Sequence, residues 1–101
     1  MKLIELNIDR IIELCKNYRV KSLSVFGSIL TDRFNEDSDV DLLVDFDTTN
    51  HEKWDYVNNY FGFRDALEDL FGRKVDLIEY GGIRNPLFRN AVDRTKQPIY
   101  G

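Results

Sequence analysis

The run Asp39-Val40-Asp41-Leu42-Leu43-Val44-Asp45-Phe46 constrains the chain more than any other, because carboxylates lead straight into a block of apolar residues. Strand side chains alternate between two faces, so Val40, Leu42, Val44 and Phe46 share one face while Asp39, Asp41, Leu43 and Asp45 share the other. The first face asks to be buried, and the second begins with acids. A strand that enters a core while its leading end stays open to water satisfies both demands. Asp39 and Asp41 then project side by side at the mouth of that strand, where their mutual repulsion is unfavourable without a cation. Oxygen donors of this kind select magnesium or manganese. Taken alone, an Asp-x-Asp pair fits a solvated acidic edge as well as a metal site.

The other periodicities supply the layers around this strand. Ile8, Ile11, Ile12 and Cys15 recur at i, i+3, i+4 and i+7, which predicts a helix that stops near Asn17 and Tyr18. Residues 21–26 alternate Leu23 and Val25 with Ser22 and Ser24 and end at Gly27, as a strand feeding a tight turn does. A short helical turn and a loop follow over 29–38. Residues 53–71 carry a helical repeat of Val57, Tyr60, Phe61, Leu67, Leu70 and Phe71, with Gly72 as the stop and Gly62 weakening the middle. Residues 74–79 form a third strand that sets Asp76 in the sheet, closed by Gly81-Gly82. Asn85-Pro86 suits an N-cap and first helical residue, and Leu87, Phe88, Ala91 and Val92 carry that helix to about Thr95. Residues 98–101 are expected as a surface extension. The order α, β, short α, β, α, β, α predicts an α/β (α+β) fold with helices packed on a small sheet, residues 1–101 forming a single domain.

Composition excludes several classes of function. Hydrophobic residues at 43% and charged residues at 32% suit a folded chain rather than a disordered one. Fourteen Lys and Arg against eighteen Asp and Glu give a net charge of −4, so direct binding to a polynucleotide, which needs a basic footprint, is not expected. The single cysteine, Cys15, allows neither an intramolecular disulfide nor a Cys-rich zinc site. No secretory signal reads from residues 1–10 and no apolar run reaches the roughly 18 residues of a membrane span, so the expected location is the cytoplasm, away from the membrane.

Gly27-Ser28, twelve residues ahead of Asp39, alters the weight of the acidic pair. A glycine at a strand end lets backbone approach a ligand, and a serine opening a helical turn offers a hydroxyl and free N–H groups to phosphate oxygens. Alone, Gly-Ser marks a turn; beside an acidic strand it supplies the phosphate half of a metal-and-nucleotide site. Asp76, between Val75 and Leu77, is a third acid set in an apolar strand. The spacing of Asp37, Asp39 and Asp41 also invites an EF-hand reading, which fails because Leu42 and Thr48 stand where glycine and the bidentate glutamate belong. No Walker-type phosphate loop is present.

Phe26-Gly27-Ser28, then Ser38-Asp39-Val40-Asp41-Leu42-Leu43-Val44, then Val75-Asp76-Leu77-Ile78 together resemble the minimal nucleotidyltransferase family of the DNA polymerase beta-like superfamily. The resemblance extends through Ile83-Arg84-Asn85-Pro86 and Arg94-Thr95-Lys96 to Ile99-Tyr100. It implies a mixed sheet flanked by helices, nucleotide phosphates on Gly27 and Ser28, and an acidic triad of Asp39, Asp41 and Asp76 that binds Mg2+, with Mn2+ as the alternative. It further implies ATP as donor, AMP transferred to a hydroxyl, and an antitoxin whose partner is a HEPN-domain ribonuclease toxin modified on a tyrosine. Two other readings stand beside this one, a small-molecule nucleotidyltransferase of the antibiotic type and a non-catalytic module that neutralises its partner by binding. The chain departs from many relatives at Thr31-Asp32, where they carry Arg-Gly; Arg33 lies just beyond.

Other residues carry a simpler expectation. His51 is read as a loop residue, Cys15 as core filling, and the aromatic group Trp54, Tyr56, Tyr60, Phe61 and Phe63 as core packing. Lys74 shares the strand face of Asp76, within reach of a phosphate or of a nearby acid, and Arg84, Arg89 and Arg94 read as solvated charge.

Overall fold

The computed structural model describes residues 2–49 and 54–101; His51 and Lys53 lie outside them. In chain order the elements are α1 (Lys2–Leu6), α2 (Ile8–Asn17), β1 (Val20–Phe26), a 3-10 turn (Gly27–Leu30), β2 (Val40–Phe46), α3 (Tyr56–Phe71), β3 (Val75–Glu79), a second 3-10 turn (Tyr80–Gly82), α4 (Pro86–Thr95) and β4 (Gln97–Tyr100). The four strands form one sheet in the order β3-β2-β1-β4. β1 pairs antiparallel with β2 and with β4, whereas β2 and β3 run parallel. A parallel pair needs a crossover, and α3 is that crossover. The expected fold of a mixed sheet flanked by helices is the one observed.

Alternation along β2 divides the core into two layers. On one face Val40, Leu42, Val44 and Phe46 join Leu23 and Val25 of β1, Ile11, Leu14 and Cys15 of α2, and Phe63, Leu67 and Phe71 of α3. On the other, Leu43 packs with Phe26 and with Val92 of α4. β2 therefore lies covered on both sides except near its start. Cys15 is buried, and desolvation pushes its thiol up to about 12, as suits core filling.

Local signals set the helix ends. Asp55 caps α3 by accepting the backbone N–H of Asn58, and Gly72 ends it in the left-handed conformation at φ 66°. Gly62 leaves α3 unbroken; a Cβ there would meet Cε1 of Tyr18 at 2.9 Å, so the glycine serves close packing of the tyrosine ring on the helix. Asn85 accepts from the N–H groups of Leu87 and Phe88, with Pro86 at the first helical position of α4. The aromatic group is core packing in the main: Phe46 lies within 6.0 Å of Phe63 and 5.5 Å of Tyr56 between ring centroids, and Phe61 alone of the group is largely exposed.

The tail corrects the sequence reading. Residues 97–100 form β4 on β1, with Leu23 opposite Tyr100, Ser24 opposite Pro98 and Val25 opposite Gln97. Pro98 cannot donate to a ladder, yet an edge position tolerates it, and Ile99 and Tyr100 pack against the main core. α1 was also unexpected, being too short for periodicity to mark.

Phe63 is fully buried where α2, α3 and β2 meet, in ring contact with Tyr18 and Phe46. Phe63→Ala should lower unfolding free energy by about 3–5 kcal/mol. Urea titration followed by far-UV circular dichroism measures this.

Candidate active site

The acids and the glycine-serine turn meet at one end of the sheet. Phe26, the last residue of β1, stands opposite Asp41 in the antiparallel ladder. The chain then turns at Gly27 with φ 76°, a conformation that favours glycine. A Cβ on Gly27 would collide with Oδ2 of Asp41, so the glycine is also what gives the Asp41 carboxylate its room. The Ser28 backbone N–H donates to that carboxylate. Thr31 closes the turn, its N–H and its hydroxyl both donating to the Ser28 carbonyl at 2.9 and 2.8 Å, while its Oγ1 accepts from the Arg33 N–H.

Parallel pairing brings in the third acid. Asp41 and Asp76 are direct partners across β2 and β3, so both leave the same face of neighbouring strands. Asp39 precedes β2 by one residue and, like Asp76, is exposed, whereas Asp41 is half-buried. Burial raises the Asp41 pKa, and the charges of Asp76 and Asp39 raise it further against the opposing Ser28 hydrogen bond. The structure thus brings Gly27, Ser28, Asp39, Asp41 and Asp76 into one neighbourhood. No three acidic, imidazole or thiol side chains among the described residues form a ready-made metal cage. The donors nevertheless suit a hard divalent cation: all are carboxylate oxygens, and the half-buried one is kept clear by a glycine.

Two clefts border this region. One, of about 480 Å³, is lined by Gly27, Leu30, Thr31, Thr95 and Gln97 and so reaches the turn directly. The other, of about 450 Å³, runs beside β3 past Tyr60, Ile78, Glu79, Arg84, Asn85 and Phe88. Neither is lined by an acid of the trio.

The remaining candidates separate. The Lys74 carbonyl accepts the Val40 N–H at 3.0 Å, which ties the starts of β2 and β3. Arg89 corrects the reading of its strip as plain solvated charge: with Lys96 it stacks on the Tyr80 ring, whose hydroxyl donates to Asp93. Sequence reasoning missed Arg73, which binds the loop before Asp39 and carries no periodic or motif signal.

A mixed sheet with acids on two parallel strands beside a glycine-serine turn sets carboxylate oxygens next to backbone that a ligand can approach. The family model described as nucleotidyltransferase domain matches residues 8–97, and the chain belongs to that family of enzymes. It is similar to a Methanocaldococcus jannaschii protein assigned as a protein adenylyltransferase, at 40% identity over 78 residues that make up 77% of this chain and 74% of that one. A solved structure assigned as a minimal nucleotidyltransferase superposes with a TM-score of 0.77 at 29% identity, covering 96% of this chain and 93% of its own. The fold also matches, at a TM-score of 0.64 and 21% identity, a chain from the complex of tri-AMPylated Shewanella oneidensis HEPN toxin with MNT antitoxin, covering 96% of this chain and 71% of that one.

The raised pKa of Asp41 has a consequence for stability. The folded chain binds this proton more tightly than the unfolded chain, so stability falls as pH rises from the unfolded pKa through the folded one, and ionised Asp41 costs stability at neutral pH. Asp41→Asn keeps an acceptor for Ser28 and removes the charge. The variant should melt a few degrees above the parent at pH 7, with the gain fading as pH falls through the raised pKa; calorimetric scans across acid to neutral pH measure it.

Proposed function

We propose that this nucleotidyltransferase moves AMP from ATP to a protein hydroxyl, a tyrosine of a HEPN-domain toxin, and so acts as the antitoxin of that pair in the cytoplasm. The observation that carries the reading is the pairing of Asp41 with Asp76 across two parallel strands, beside a glycine-serine turn that touches Asp41. Asp39, Asp41 and Asp76 would hold Mg2+ or Mn2+, and such a cation offsets charge on the triphosphate and on departing pyrophosphate. Gly27 and Ser28 bind the phosphates, with the Ser28 hydroxyl at the opening of the turn and the Gly27 backbone free of any side chain that would keep a ligand away. In the transfer the acceptor oxygen bonds to the α-phosphorus, the bond from that phosphorus to the β-bridging oxygen breaks, and pyrophosphate leaves. Asp76, exposed on the strand edge, takes the hydroxyl proton as general base.

Exposure of Asp39 and Asp76 supports an acceptor supplied by another chain, since the domain encloses neither acid. The modified HEPN toxin in a structural relative supports its identity. No described helix is long and apolar enough to cross a membrane. One observation favours a second reading, that of a stoichiometric, non-catalytic antitoxin: at the position where many relatives carry arginine, Thr31 is committed to the Ser28 carbonyl and brings no cation to the phosphates. Small-molecule transfer has no such observation behind it.

The test is incubation of the purified chain with α-labelled ATP and Mg2+, with and without the HEPN partner. Wild-type chain should label the partner. Loss of an outer-shell group around a metal costs about 10–100-fold, so Asp39→Asn and Asp41→Asn, which remove ligands outright, should lower labelling by about a hundredfold or more. Undiminished labelling by either variant overturns the assignment, and toxin neutralisation by both without any labelling favours the stoichiometric reading.

A further inference from the structure

We propose that Arg73 is the positioning residue of the acidic site, fixing the loop that presents Asp39 against the strand that presents Asp76. The inference rests on the reading of Asp39 as a metal-binding acid. Asp39 precedes β2, so the sheet ladder does not hold it. Something else must keep it in place.

The loop before it is folded on itself: the Asn35 N–H donates to Ser38 Oγ at 3.1 Å, Asn35 Oδ1 accepts the Asp37 N–H at 2.8 Å, and the Ser38 N–H donates to the Asn35 carbonyl. Arg73 grips that fold from outside. Its Nη1 donates to the Asn35 carbonyl at 2.8 Å and to the Ser38 carbonyl at 3.1 Å, and its guanidinium lies 4.7 Å from the centroid of the Phe34 ring. Lys74 accepts the Val40 N–H, and Glu68 Oε2 of α3 accepts the Val75 N–H at 2.9 Å. Residues 38 and 40, the two neighbours of Asp39, are thus held by residues 73 and 74, which lie three and two positions ahead of Asp76. The Arg73 bonds lie outside the parallel ladder, whose first rung is the bond from Val40 to the Lys74 carbonyl.

A planar guanidinium suits the task because it stacks on Phe34 while directing N–H groups in its own plane at carbonyls. An ammonium has one donor centre and no face to stack, so Arg73→Lys keeps the charge and loses the geometry.

The experiment compares wild type, Arg73→Ala and Arg73→Lys in two measurements. The first is amide hydrogen exchange, which needs no activity: residues 38–40 should exchange about tenfold faster in Arg73→Ala, with α3 and β1 unchanged and the lysine variant intermediate. The second is the Mg2+ dependence of labelling at saturating ATP. Groups that orient metal ligands typically change affinity about 10–100-fold, so the half-saturating Mg2+ concentration should rise about tenfold while the rate at saturating Mg2+ falls less. Unchanged exchange at residues 38–40 overturns the proposal, as does an equal loss of rate at every Mg2+ concentration. Should wild type label nothing under any condition, the adenylyl-transfer reading fails by itself, and exchange still decides whether Arg73 fixes the loop.

Discussion

The parallel pairing of β2 with β3 is the constraint on which the site depends. In that register Val40 meets Val75, Asp41 meets Asp76 and Leu42 meets Leu77. Apolar pairs on either side of the acidic pair are buried against α3, and burying them fixes where the acids fall. A slip of one residue would move every side chain of a strand to the opposite face, sending Asp41 or Asp76 into the core and an apolar residue out. The hydrophobic layer therefore enforces a juxtaposition of like charges that no local attraction favours. Residues far from any chemistry, such as Phe63 and Leu67, hold the acids together by making every other register costlier.

The two acids so placed differ because the sheet end is only half covered. Leu43 and Ile78, two residues further along each strand, lie beneath α4 with Phe26 and Val92. Asp41 sits at the boundary of that cover and is partly desolvated, whereas Asp76 on the edge strand and Asp39 ahead of its strand face water. Burial and neighbouring charge both work against ionised Asp41, and the Ser28 N–H works the other way. The fold gives up stability here and recovers it in the larger layer on the opposite face, which is how sites of concentrated charge are usually accommodated.

Much of this was legible in the sequence for definite reasons. β2 was readable because alternation persists from Val40 to Phe46, and α4 because Asn85-Pro86 names its own start. Gly27, Ser28, Asp39, Asp41 and Asp76 were each flagged, and the structure gathers them. The pairing itself was not legible, because register is fixed by long-range packing and not by any local pattern. β4 was missed since a four-residue edge strand containing Pro98 carries no alternation strong enough to outweigh the proline. Arg73 was missed for a different reason: its bonds run to backbone carbonyls 35 and 38 residues away, and a carbonyl has no residue identity to read.

The three acids are not held alike. Asp39 and Asp76 are exposed, whereas the half-buried Asp41 is held by the room that Gly27 leaves and by the Ser28 N–H. The places of the exposed two are set by the backbone beneath them, and that backbone must be rigid if the acids are to stay together. β3 provides that rigidity for Asp76 through its ladder. Asp39 lies one residue ahead of the first rung, from Val40 to the Lys74 carbonyl, and the Arg73 bonds to the Asn35 and Ser38 carbonyls hold the chain on its other side.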